Sequence, residues 1–216
     1  MSETITLDTN SPPVQYLCKK DKRLAKVISM VGPITYTTHA DDPYAFLVHE
    51  IIEQMLSVKA GASIYERLVT LCEGHVKPST IMELSEDDLK STGTSINKVH
   101  CIRALTDSIT CGSLDFDKIL FLNDDEVIKE LTSIKGIGQW TAKMFLIFVL
   151  NRNDVLPYED VAFLQSFKWL YKTTETDKAT VEKKCRKWKP YSSVAARYMY
   201  RALDTGLTHE EFHLYK

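Results

Sequence analysis

The stretch "LTSIKGIGQWTAKMFLIFVL", residues 131–150, decides how the rest of the chain is read. Gly136 and Gly138 stand one residue apart just before an apolar helix, where Ser, Thr, Asp or Asn ordinarily caps and glycine belongs to the far end. Without Cβ atoms, "GIG" permits left-handed backbone and a tight hairpin between a helix ending near Ser133 and another beginning near Gln139. Such a turn leaves the first amides of the second helix unpaired at the positive end of its dipole, where a phosphate sits without any lysine. Missing side chains also admit a nucleic-acid backbone. A plain helix-helix turn is the alternative, and a lone G-x-G does not choose between them.

On both sides of this turn the chain reads as helix after helix. "KRLAKVISMVG", "PYAFLVHEIIEQMLSVK", "INKVHCIRALTDSIT", "DDEVIKELTSI", "VAFLQSFKWLY", "DKATVEKKCRKW" and "SSVAARYMYRALDTG" repeat apolar residues every three or four positions. Several stop at glycine, as at Gly32, Gly74, Gly112 and Gly206. Only "GPITYTTHA" looks extended, and its length predicts no sheet. Short connections and no repeat predict an all-α protein in one or two lobes.

Composition sets the outer bounds. The 216 residues are 44% hydrophobic and 26% charged with a formal net charge of −2, ordinary for a globular chain. Cys18, Cys72, Cys101, Cys111 and Cys185 are scattered, odd in number and without C-x-x-C, which argues against a disulfide framework, a zinc site or an iron-sulfur cluster. The polar start "MSETITLDTN" and the lack of an apolar run of roughly 18 residues predict a soluble intracellular protein. Charge is uneven: Lys168 to Arg201 holds ten basic residues against three acidic ones, with Trp169, Tyr171, Trp188, Tyr191, Tyr198 and Tyr200 interleaved. That suits either a solvated helix face or a surface meeting phosphates and bases.

Twenty residues beyond Trp140 stands Asp160, within "VLPYEDVAFLQSF". Pro157 holds Leu156 extended, and Asp160 then stands at the cap of the next helix. Capping alone would explain Asp160. Glu159 and Asp160 together after a rigid turn also place negative charge where a nearby reaction would use it.

These two segments resemble the helix-hairpin-helix motif and the aspartate-bearing loop of the base-excision DNA glycosylases, within them the 3-methyladenine DNA glycosylase branch. "DPYAFLVHEIIEQMLSVKAGASIYERL" is similar to that family's early helix pair with its Q-x-x-S-x-x-A signature. "GTSINKVHCIRALTDSI" resembles its G-x-S-x-x-K helix, and "WKPYSSVAARYMY" its W-x-P-Y-x-S-x-A helix. The likeness runs from about Leu17 to Gly206. It implies two helical lobes with a cleft between them, a central lobe at about 37–150 containing the hairpin and a second of 1–36 plus 151–216.

The resemblance also implies roles. Asp160 is the expected catalytic aspartate, an ionised carboxylate, of a monofunctional enzyme that flips an alkylated purine out of duplex DNA and hydrolyses its N-glycosidic bond. Trp140, Met144 and Tyr200 match base-pocket positions, with Tyr44 and Phe46 as a further wall; core packing is the alternative for each aromatic. Gly136, Gly138, Gln139, Thr141 and Lys143 would grip the DNA backbone. The loop at Gln54 offers Met55 or Leu56 as the wedge that fills the flipped nucleotide's gap, unless they are buried. Carbonyls of Thr132, Ile134 and Ile137 would hold a Na+ or K+ ion against a phosphate, and no other cofactor is implied. The expected partner is double-stranded DNA, met by a monomer.

Departures from the family pattern matter too. Bifunctional relatives carry a nucleophilic lysine where this chain has Trp140, and Lys143 lies about 300° further round a helix at about 100° per residue. No strand-cleaving activity is expected. Met144 replaces a tyrosine of some relatives, which bears on substrate range, and Ser192 replaces an arginine, which predicts the loss of one phosphate or acidic contact. The length leaves no room for the N-terminal sheet domain of longer members. Two other classes stay open: a glycosylase for another damaged or mismatched base, and a non-catalytic helix-hairpin-helix DNA-binding protein. An all-α scaffold, which predicts no salt-sensitive DNA binding, is a third.

Overall fold

Thirteen α-helices and two short strands form among the described residues, 2–215 of this computed structural model. In chain order they are β1 (Thr4–Leu7), α1 (Pro12–Lys20), α2 (Lys22–Val31), β2 (Ile34–Thr37), α3 (Pro43–Glu53), α4 (Val58–Leu71), α5 (Pro78–Glu83) and α6 (Glu86–Ser91). There follow α7 (Ile96–Thr110), α8 (Phe116–Ile119), α9 (Asp124–Thr132), α10 (Gln139–Phe148), α11 (Val161–Tyr171), α12 (Lys178–Cys185) and α13 (Ser192–Asp204). Side-chain caps explain many of the starts: Asp21, Ser57, Ser85, Asn123, Asp160 and Asp177 each accept a first-turn amide. Gly32, Gly74, Gly112 and Gly206 all take positive φ just past helix ends. No helix among the described residues is long and apolar enough to cross a membrane.

The chain divides into two compact units, one of His39–Leu150, the other of Ser2–Thr38 with Asn151 onward. The first contains α3 to α10. There α3 packs on α4, α7 and α10, while α9 packs on α10 through the glycine turn. Its apolar heart includes Leu47, Ile51, Ile52, Leu68, Ile102, Leu105 and Phe145, each at most 1% exposed.

The second unit holds β1, α1, α2, β2 and α11 to α13. Here the expectation of no sheet is corrected: β2 pairs antiparallel with β1, Thr4 opposite Thr37 and Leu7 opposite Ile34. Four-residue strands suffice because threonines pair across the ladder, Thr4 with Thr37 and Thr6 with Thr35, both at 2.9 Å, while Leu7 and Ile34 turn into the core. The interleaved aromatics of the basic segment also read differently in space. Trp188 and Tyr198 are fully buried beside Phe163 and Phe167, so they build core and offer no bases a stacking surface.

Asp21 sits under that core, 2% exposed. Its Oδ1 caps α2, while Oδ2 accepts the Tyr171 hydroxyl at 2.6 Å and the Trp188 indole N–H at 2.9 Å, with the Lys187 ammonium at 3.1 Å. Burial pushes this carboxyl up, but the Tyr171 and Trp188 hydrogen bonds and the Lys187 charge outweigh it, leaving Asp21 more acidic than usual.

Candidate active site

The glycine turn belongs wholly to the first unit. Ser133 closes α9 and Gly138 caps α10 without a side-chain bond. Ile134 and Ile137 are buried and pin the turn from beneath, the Ile137 amide donating to the Ile134 carbonyl at 3.0 Å. The two glycines differ in cause. Gly136 has φ 98°, and an added Cβ would lie 2.7 Å from both Cβ and Sγ of Cys101, so the fold requires glycine there. Gly138 is extended at φ −100°, ψ 177°, and an added Cβ would meet nothing within 4 Å. Only one of the two therefore uses the left-handed freedom that both permit.

Lys135, Gly136, Gly138 and Gln139 are exposed around this turn. Two residues expected to grip DNA are not. Lys143 is 7% exposed, which leaves little of its side chain at the surface. Thr141 is 1% exposed and its hydroxyl accepts the Gln54 side-chain amide at 3.1 Å, so that hydroxyl braces the protein itself. Sequence reasoning passed over Lys135, although it stands beside Gly136 in "IKGIGQW".

Gln54, expected at the DNA, is half-buried and also braces the protein. Its amide donates to the Gly136 carbonyl at 3.3 Å as well as to Thr141, tying the end of α3 to the hairpin. The chain then turns through Met55, at φ 58° and 101% exposed, and Leu56, 41% exposed. Lys98 of the G-x-S-x-x-K helix holds this turn in place by donating to the carbonyls of Ile52 (2.8 Å) and Gln54 (2.7 Å). Its motif was visible in the sequence and its role was not.

Of the proposed pocket residues, Trp140 is half-buried and Met144, one turn along α10, is 4% exposed. Tyr44 and Phe46 are buried within the unit: Tyr44 pairs with the Thr106 hydroxyl at 2.7 Å, and Phe46 lies against His39 and Phe148. Burial pushes the Tyr44 hydroxyl far above its usual value.

The acid loop belongs to the second unit. Pro157 is buried and its carbonyl accepts the Asp160 amide at 3.0 Å. Asp160, 8% exposed, caps α11 through Oδ1, which accepts the Phe163 amide at 2.6 Å. Upstream, Asp154 accepts the Ser192 hydroxyl at 2.5 Å and the Ser193 hydroxyl accepts the Val155 amide at 2.9 Å, which anchors the loop to the start of α13. Ser192, in place of the relatives' arginine, thus has an acidic partner in Asp154. Lys178 stands 4.9 Å over the Tyr158 ring, and Tyr200 lies half-buried on α13.

Among the described residues, His49, Glu50 and Glu53 bring metal-binding atoms within 4.8 Å of one another. Each ring nitrogen of His49 already faces one carboxylate, at 3.3 Å and 3.5 Å, so the group reads as an ionic triad.

Residues 48–190 match the family described as HhH-GPD superfamily base excision DNA repair protein. The chain is 28% identical over 184 residues to a DNA-3-methyladenine glycosylase 1 of Schizosaccharomyces pombe, covering 83% of this chain and 80% of that one. The solved structure of a DNA-3-methyladenine glycosidase from Bacillus halodurans superposes with a TM-score of 0.82 at 36% identity over 97% of each chain. The Schizosaccharomyces pombe 3-methyladenine DNA glycosylase Mag1, in complex with abasic DNA, gives 0.84 at 26% identity over 90% of this chain and 97% of that one.

Proposed function

Since this chain belongs to the HhH-GPD superfamily of base excision DNA repair proteins, we propose that it is a monofunctional DNA glycosylase that removes 3-methyladenine-type alkylated purines from duplex DNA. Asp160 carries the reading. It is a buried acid fixed in direction by a helix amide, on a loop anchored at both ends, which is what a preorganised electrostatic group needs. As the C1′–N bond breaks, its electron pair leaves with the base and positive charge grows on the deoxyribose. The Asp160 carboxylate stabilises that charge and orients the water that adds to C1′; the water's proton is lost and an abasic site remains. An alkylated purine carries positive charge beforehand and departs neutral, so a second acid is unnecessary.

Binding follows from the first unit. Amides of Gly138, Gln139 and Trp140 at the open start of α10, with exposed Lys135, take a phosphate. Carbonyls of Thr132, Ile134 and Ile137 are hard oxygen donors of the kind Na+ or K+ accepts, and such an ion would add charge beside that phosphate. Met55 fills the gap left by the flipped nucleotide: its full exposure and left-handed backbone are unexplained by packing. Trp140, Met144 and Tyr200 receive the base. The protein acts as a monomer wherever the cell keeps its DNA.

The deciding experiment incubates duplexes bearing methylated purines with the protein and reads released base and alkali-labile sites. Free methylpurine from the wild type and none from Asp160→Asn is the expected result. A borohydride-trapped protein–DNA adduct would overturn the monofunctional assignment, and undamaged release patterns in both proteins would overturn the activity.

A further inference from the structure

Lys183, Lys184, Arg186 and Lys187 line a surface hollow of about 530 Å³ at the end of α12, together with Glu175 and Thr180. No aromatic or wholly apolar residue lines it, so it gives a base nothing to stack on and an apolar ligand nothing to bury against. What it gives is positive charge. Lys184 and Lys187 both fold back over Tyr171, their ammonium groups 5.4 Å and 5.3 Å from its ring centroid. Tyr171 is held in turn by its hydroxyl bond to Asp21. Among the described residues Lys187 is the one cation of the four with a carboxylate partner, Asp21 at 3.1 Å. Lys183 and Arg186 are exposed beside them. An ordinary solvated face leaves its lysines mobile and apart; here two flexible side chains are tethered on one ring, which concentrates charge around the hollow.

We propose that this hollow is a second DNA site, which takes the phosphodiester backbone of a duplex whatever its sequence or damage. The inference rests on the reading of the chain as a DNA enzyme, and the site is separate from the hairpin, which belongs to the first unit. From Thr180 to Lys187 the row of cations runs about 10 Å, at about 1.5 Å per residue, a length over which duplex DNA presents about six charges. A row suits such a ladder of charge, whereas a lone phosphate meets only part of it. The chain as a whole carries a net charge of −2, while residues 168–201 hold ten basic residues against three acidic ones, so attraction for a polyanion gathers here. Each cation that meets a phosphate releases a counterion, which makes this grip steeply dependent on salt and blind to sequence. The same helix begins at Lys178, 4.9 Å over the Tyr158 ring of the acid loop, so the site and Asp160 belong to one unit. It holds the protein on undamaged DNA and takes no part in bond breaking.

Fluorescence anisotropy with an undamaged duplex, run as a salt titration, tests this. The double variant Lys183→Gln with Arg186→Gln should bind about tenfold more weakly than wild type at about 0.1 M salt, and its slope of log K against log salt should be shallower by about two. Lys90→Gln with Lys118→Gln removes the same charge from exposed ion pairs of the first unit and should stay within about twofold of wild type. Equal losses in the two double variants would mean that net charge alone is felt, which overturns the site. Unchanged affinity and slope in the first variant also overturn it, whether the hollow then takes inorganic pyrophosphate (a rise in Tm of the wild type alone), an acidic peptide, or nothing. At saturating protein, single-turnover release of a methylated purine by that variant should match wild type within about twofold. A larger fall would mean that the two residues support the fold, and the inference fails. If the wild type releases no base at all, the glycosylase reading is overturned, while the affinity difference still decides this site.

Discussion

Asp160 Oδ1 accepts the Phe163 amide at 2.6 Å, so the carboxylate proposed for the chemistry also starts a helix. The two roles separate by substitution. Asparagine is as good a helix cap as aspartate, so Asp160→Asn keeps the Phe163 bond and changes stability by less than about 0.5 kcal/mol. It removes the negative charge, and single-turnover base release should fall by about 100- to 1,000-fold. Asp160→Ala loses the cap as well and should cost about 1 kcal/mol in urea unfolding. Activity surviving in the Asn protein would reduce Asp160 to a cap.

The hairpin glycines should respond in opposite ways. Gly136→Ala places a methyl group 2.7 Å from Cys101 at φ 98°, and unfolding should become easier by about 2–4 kcal/mol. Gly138→Ser meets open space with an ordinary extended φ and adds a favoured cap, so the protein should be as stable as wild type or slightly more so. The new side chain projects where a phosphate would sit, and affinity for duplex DNA should drop at least about tenfold, a loss of about 1.4 kcal/mol. Unchanged DNA affinity in a folded Gly138→Ser protein would remove the hairpin from the DNA-binding surface.

Asp21 predicts an acid-sensitive core. Asp21→Ala strands the Trp188 indole N–H and the Tyr171 hydroxyl and uncaps α2, at a cost of about 3 kcal/mol at neutral pH. The folded-state pKa lies below the ordinary value of 3.8, so the contribution is present above that value and is lost as pH falls through the depressed one. The stability gap between wild type and Asp21→Ala should therefore be constant from pH 7 to about 5 and shrink only in stronger acid. A gap that closes at pH 6 would implicate another group.

Local rules carried the sequence reading where local physics decides the outcome. The end of α9 at Ser133, the start of α10 at Gln139 and the Asp160 cap follow from glycine freedom and cap chemistry within a few residues. The misses are of another kind. The β1–β2 ladder joins residues 33 positions apart at Thr4 and Thr37, a pairing that periodicity within either four-residue strand does not announce. Trp188 and Tyr198 looked like a stacking surface because their spacing suits a basic face, yet a fully buried indole needs only Asp21, 167 residues away, to satisfy its N–H. Lys98 and Gln54 belong to recognisable motifs, but their bonds to the turn at Met55 and to Gly136 span 44 and 82 residues. Burial of Lys143 and Tyr44 is a property of neighbours supplied by other helices and leaves no trace in their own surroundings along the chain.

His49 predicts a pH effect on the turn that presents Met55. On the last turn of α3, its Nδ1 faces Glu50 at 3.3 Å and its Nε2 faces Glu53 at 3.5 Å. The hydrogen bond to Glu50 raises its pKa above the ordinary 6.5, burial opposes, and the Glu53 and Glu50 charges add to the rise. A folded pKa above the unfolded one gives stabilisation that is complete below pH 6.5 and is lost as pH climbs through the raised value. An imidazolium at a helix C-terminus also suits the dipole, in the same direction. Because the ring is 34% exposed, solvent screening limits the effect to about 0.5 kcal/mol. Urea midpoints of wild type and His49→Gln should differ most near pH 5.5 and converge by about pH 9. A difference that stays constant with pH would mean that the ring contributes packing alone, and the charge of the triad would then have no part in holding the end of α3 before Gln54 and Met55.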